Sequence, residues 1–187
     1  GGGWAVTDYD GDALPDLGRA DASGSVWKTH PRSGEPADRL ASATDGLGNA
    51  VSFSYRPMSD PLVYTGAGGA SFPLVNEASA IGLVYEMRVS PGSGTSFTLR
   101  YAYANAREPA QGRGDLGMGS RTVTDLRSNG LVVTETWSQE FPAIGAPLSM
   151  VVKQPDGTTV QSSTHTYQTH TLDSTPNNER YLPYRSQ

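Results

Sequence analysis

The sequence predicts an all-β fold built of successive antiparallel hairpins. Three observations point there. Apolar and polar residues alternate along many short runs, the period of a half-buried strand. Turn residues are dense, with 22 Gly and 13 Pro in 187 residues. No long stretch carries the 3.6-residue apolar period of a helix. Ser and Thr crowd one side of several runs, as in Ser162, Thr164 and Thr166, which suits sheets with one solvated side.

In chain order, residues 4–30 read as strand, acidic loop, strand, turn, strand. The last run, Ser25-Val26-Trp27-Lys28-Thr29, has the alternation of a half-buried strand. Residues 31–38 are polar and Pro-rich and read as a linker. Arg39 to Thr44 and Ala50 to Tyr55 flank Asp45-Gly46-Leu47-Gly48-Asn49 and form a first hairpin, with Val51, Phe53 and Tyr55 on one face. Residues 57–73 are rich in Pro, Gly and Ser and read as an irregular surface loop. Residues 81–90 alternate, with Tyr85, Met87 and Val89 on one side. They pair with Ser96 to Tyr103, whose face is Phe97, Leu99, Tyr101 and Tyr103. A third hairpin surrounds Asn129-Gly130, where both residues tolerate positive φ. A fourth surrounds Pro155-Asp156-Gly157, with arms Leu148 to Lys153 and Thr158 to Thr169.

The stretch Asp8-Tyr9-Asp10-Gly11-Asp12-Ala13-Leu14-Pro15-Asp16 places carboxylates at loop positions 1, 3, 5 and 9. Acidic side chains at alternate positions of a tight loop can converge on a hard cation. Calcium, which takes six to eight oxygens in a flexible shell, fits that donor set. Asp8, Asp10, Asp12 and Asp16 are the candidate side-chain ligands, and the carbonyl of Leu14 the candidate backbone ligand. The loop is not an EF-hand, because that loop wants Gly at position 6 and Glu at position 12, where this chain has Ala13 and Arg19. An Asp- and Gly-rich turn without any ion has the same composition. A positive-φ turn at Ala13 is costlier than at Gly.

Composition narrows the function classes. The net charge is -5, and residues 1–21 hold five Asp against one Arg. No basic patch invites nucleic acid. Cys is absent, so disulfides and thiolate metal sites are excluded. No apolar run approaches the roughly 18 residues of a membrane-spanning helix. The chain begins at Gly1-Gly2-Gly3 and stops at Tyr184-Arg185-Ser186-Gln187, which reads as a fragment of a longer polypeptide.

The loop Asp8 to Leu17 resembles the ion loop of FG-GAP, or VCBS, propeller repeats. Leu40 to Asn49, Val51 to Asp60 and Val63-Tyr64 look like the middle region of insecticidal toxin complex B subunits, shared with SpvB-type and Rhs/YD-repeat proteins. Gln111 to Gly117 is similar to that region's Gln-Gly-Arg-Gly-aromatic-Leu-Gly signature, with Asp115 at the aromatic position. Thr122 to Asp125, Gln139 to Pro142 and Tyr181 to Tyr184 follow in the same order. The resemblance implies a partial β-propeller repeat over 1–30 and a segment of a larger β-shell over 39–187. The shell would enclose a toxic C-terminal part of a secreted or cell-surface bacterial protein. The implied role is structural and non-catalytic. The implied partners are the rest of the polypeptide and other toxin-complex subunits.

The alternative is a calcium-dependent adhesion or binding module. It would act through Arg113, Gly114 and Asp115, the integrin-type tripeptide, or through an aromatic carbohydrate-binding face drawn from Trp27, Tyr55, Tyr101, Tyr103 and Trp137. Other chemistry finds little footing. His165 and His170, five apart on a continuous strand, would lie on opposite faces. Gly66-Ala67-Gly68-Gly69 lacks the Lys-Ser/Thr of a phosphate loop.

Overall fold

The computed structural model describes residues 3–24, 26–34, 39–66, 68–77, 79–110, 114–176 and 179–186. Its first eight strands are β1 (Trp4–Thr7), β2 (Asp16–Ala20), β3 (Trp27–His30), β4 (Ser42–Thr44), β5 (Ala50–Pro57), β6 (Tyr64–Thr65), β7 (Leu74–Asn76) and β8 (Gly82–Ser90). The remainder are β9 (Phe97–Ala104), β10 (Arg107–Pro109), β11 (Ser120–Asp125), β12 (Val132–Trp137), β13 (Pro147–Lys153), β14 (Thr159–Thr164), β15 (Tyr167–Asp173) and β16 (Arg180–Arg185). No helix occurs among the described residues, so none is long and apolar enough to cross a membrane. The pairings are antiparallel, as the alternation and turn density predict. No sheet closes on itself among the described residues.

The chain forms two compact units, Gly1–Tyr64 with Ala78–Thr98, and Thr65–Glu77 with Leu99–Gln187. In the first, β1, β2 and β3 make a three-stranded meander with the acidic loop between β1 and β2. The β2–β3 turn is closed by Asp21, whose carboxylate accepts from the N–H and hydroxyl of Ser23. Small or acidic residues of β2 (Asp16, Gly18, Ala20) face inward, and Leu17 and Arg19 face out. This inverts the hydrophobic expectation. At Gly18 the inward position is taken by Tyr9, whose ring lies so close that a Cβ there would meet its hydroxyl at 2.3 Å. Trp27, expected on a half-buried strand, is 54% exposed, and β3 is exposed along its whole length.

In the same unit β5 pairs with β4 on one edge and β8 on the other. The first hairpin turn forms as predicted. Asp45 accepts from the N–H groups of Leu47 and Asn49, and Gly48 takes φ 81°. Residues 57–73 are not wholly a surface loop. They carry Met58 and Val63, and Val63 is 0% exposed. Asp60 folds this segment inward by accepting backbone bonds from Val63 and Tyr64, while its carboxylate takes the Leu62 N–H and the Arg56 guanidinium at 2.5 Å. A local polar knot thus delivers an apolar side chain to the core.

In the second unit β9, β11, β12, β13 and β14 are neighbours in that order. β7 pairs with β10, and β15 with β16. The β11–β12 hairpin forms, but neither Asn129 nor Gly130 has positive φ. Gly130 is required for a different reason, since a Cβ there would sit 2.2 Å from the Asp125 carbonyl oxygen. The β13–β14 hairpin turns at Gly157 (φ 87°), with Asp156 accepting the Thr158 N–H. Its second arm is shorter than Thr158 to Thr169. His165 donates its N–H to Leu148, and then Thr166 accepts from Ser186, so the chain changes partner and β15 enters a separate ribbon. Gln139 ties the 105–119 segment to β12 by donating its side-chain amide to the Asn105 and Gly117 carbonyls, both at 2.7 Å.

Candidate metal centre

The acidic loop is built from side chains that accept its own backbone N–H groups. Asp8 accepts from Gly11 at 2.6 Å and from Ala13 at 2.9 Å. Asp16, the first residue of β2, accepts from Tyr9 at 2.8 Å and from Arg32 at 2.7 Å, so it staples both ends of the meander to the loop. Gly11 takes φ 80° and Ala13 takes φ 67°, the left-handed turn that the sequence makes costly at a residue with a Cβ. Ser59 donates its hydroxyl to the Gly11 carbonyl and braces the loop from β5's end. A cleft of about 240 Å³ lies beside it, lined by Asp8, Gly11, Ser59 and Tyr64 among others.

Three of the four acidic candidates converge. One carboxylate oxygen each from Asp8, Asp10 and Asp16 lies within 4.8 Å of the others. Asp12 is not in this group. Its carboxylate accepts the Leu14 N–H at 2.7 Å, a side-chain turn typical of Asp two residues ahead of the donor. Asp12 instead lines a second cleft with Arg39, Phe53 and Tyr55. Leu14 is buried.

The electrostatics divide the trio. Asp16 is 1% exposed, yet its carboxyl is held below the ordinary carboxylate range by the N–H groups of Tyr9 and Arg32. Asp10 is pushed above that range by partial desolvation and by the like charges of Asp12, Asp16 and Asp8, against one stabilising bond from the Asp12 N–H. A divalent cation at the point of convergence would relieve that repulsion. The donors are hard oxygens, which suit calcium or magnesium rather than a thiophilic metal. Sequence spacing signalled the acidic loop. It gave no sign of Ser59, of Tyr9 against Gly18, or of Arg32 as the second donor to Asp16, because those contacts come from distant or non-acidic positions.

The other candidate site is only partly in view. Arg113 lies outside the described residues. Gly114 has φ 85°, and the Asp115 carboxylate accepts the Gly117 N–H at 2.6 Å. His165 stands at the break between β14 and β15, and His170 within β15. The chain matches no protein-family model, no curated protein and no solved structure.

Proposed function

We propose that this chain is a non-catalytic, β-rich scaffold segment of a larger secreted or surface-delivered bacterial protein of the toxin-complex B or YD-repeat kind. In this reading the first 30 residues are a partial propeller repeat, and one calcium ion stiffens its acidic loop. Residues 39–187 contribute strands to a shell around a toxic part supplied elsewhere in the polypeptide.

The observation that carries the reading is the convergence of Asp8, Asp10 and Asp16 in a loop pinned to β2 and β5. Such a site supplies rigidity, because the ion would offset most of the charge of three carboxylates already held by backbone bonds. The order of the resembling segments supports the shell. So does the sparse apolar interior: only Ala13, Leu14, Ala20, Met58, Val63, Ala106 and Leu116 are buried apolar residues among those described, while Leu47 is 84% and Phe72 78% exposed. Sheets with so much apolar surface left over suit a segment that further chain covers.

An antibody raised to this segment and used to probe an extract of the source tests the proposal. A band far above 19.8 kDa is expected. A band near that mass would remove the shell and leave a stand-alone module.

A further inference from the structure

The sheet of the second unit brings Tyr101 and Tyr103 of β9 onto one face with Trp137 of β12, more than thirty residues further along the chain. Tyr103 on β9 stands directly opposite Arg121 on β11, and Arg121 stands directly opposite Glu135 on β12. Residues opposite one another share a face, and so do residues two apart on one strand. Tyr101 and Trp137 therefore lie on the same face as the Tyr103–Arg121–Glu135 row. The Tyr101 and Tyr103 rings are nearly parallel, 14° apart with centroids at 6.5 Å. The Arg121 guanidinium lies 5.6 Å from the Trp137 ring centroid. Val123, Val133 and Val152 form the adjoining row.

The polar part of this face is half used. Arg121 Nε and Nη2 both donate to Glu135 Oε2, at 3.2 and 2.6 Å. Arg121 Nη1 and Glu135 Oε1 have no partner among the described residues. The two side chains are 40% and 29% exposed. A donor-only group and an acceptor-only group therefore stand side by side, with the guanidinium over one face of the Trp137 ring and the other face left for a ligand.

That pairing has one good chemical complement. A hexopyranose with equatorial hydroxyls presents a face of C–H groups, which are attracted to the negative face of an aromatic ring. Its rim carries adjacent hydroxyls, each both donor and acceptor, which match a guanidinium and a carboxylate together. The charges of Arg121 and Glu135 cancel, so the face is complementary to a neutral ligand and not to a polyanion. We infer that this face of the second unit binds a neutral oligosaccharide of β-linked hexopyranoses. Tyr103 and Trp137 stack on the sugar rings, and the Arg121–Glu135 pair bonds neighbouring hydroxyls. The site is independent of the acidic loop.

Isothermal titration of the 187-residue chain with cellohexaose and with chitohexaose tests this. Saturable binding to at least one is expected, unchanged by chelator and by about 0.5 M salt, which would screen a charge-driven contact. Trp137→Ala and Glu135→Ala each weaken it at least about tenfold. Trp137→Phe, which keeps an aromatic face and the fold, stays within about threefold of the parent. The inference is overturned by no binding of either sugar up to about 10 mM, by binding that Trp137→Ala or Glu135→Ala leaves intact, or by binding of heparin in preference to both. Loss of sugar binding in chelator would also overturn it, by assigning the site to the calcium loop.

Discussion

Replacing Asp10 by Asn separates two consequences of crowding three carboxylates into one loop. The Asp10 carboxylate is exposed, and its one loop bond, from the Asp12 N–H at 3.2 Å, is accepted as well by an Asn oxygen. The substitution therefore removes a ligand charge with little damage to the turn. A loop offering three carboxylates falls toward the weak end of calcium affinities, with Kd about 10⁻⁴–10⁻³ M. At about 10 mM calcium, mass action then stabilises the native chain by about 1.4–2.7 kcal/mol. For 187 residues the unfolding entropy is about 0.4 kcal/mol per degree, so calcium raises Tm by about 4–7 °C. Magnesium, which loses its waters reluctantly, gives a smaller rise. In Asp10→Asn the calcium-dependent rise falls below about 1 °C. In chelator the variant melts above the parent, because the desolvation and the like-charge repulsion that raise the Asp10 pKa no longer act on a charge. Differential scanning calorimetry in calcium and in chelator reads all four values. The reasoning fails if the parent melts identically in both, or if Asp10→Asn keeps the full calcium rise.

Asp16 responds in the opposite way. Its carboxyl is depressed chiefly by the Tyr9 and Arg32 N–H groups, so its contribution to stability is complete above the unfolded value of 3.8 and is lost as pH falls through the lower folded value. Asp16→Asn should lower Tm even in chelator, and an acid titration followed by circular dichroism should show the parent losing stability below about pH 4 and the variant losing less there. Calcium binding competes with the raised Asp10 proton, so the calcium-induced rise in Tm should shrink as pH approaches that carboxyl's range from above. Ala13→Gly removes left-handed strain of about 1–2 kcal/mol and adds chain entropy of about 0.5–1 kcal/mol. A net gain of about 0.5–1 kcal/mol in a urea midpoint is expected, and a loss would mean that the φ of 67° is not strained. Gly130→Ala should cost about 1–3 kcal/mol by driving a methyl into the Asp125 carbonyl, and a neutral result in the same assay would return the Asn-Gly turn to a conformational explanation.

The β class, the hairpin turns at Asp45–Asn49 and Pro155–Gly157, and the acidic loop were all legible along the chain, because each depends on residues within a few positions of one another. Strand alternation is a local period, and a turn needs only its own Gly and Asp. What the sequence could not show is what each face meets. Leu17 and Trp27 look like core residues and are exposed: Leu17 alternates with the inward Asp16 and Gly18, where Tyr9 admits no Cβ, and Trp27 lies on a strand exposed along its whole length. Val63 sits in a stretch that reads as surface loop and is fully buried, because Asp60 turns it inward. Asp12 has the spacing of a ligand but is claimed by the Leu14 N–H, and Asp16 is held low by the nearby Tyr9 N–H together with that of Arg32, sixteen residues away. Tyr103, Arg121, Glu135 and Trp137 share a face only through strand register. Sequence by itself determined the local periods and the chemistry available in this protein. Tertiary structure alone decided burial, proton affinity and which distant side chains meet, since those depend on contacts that no short window of sequence contains.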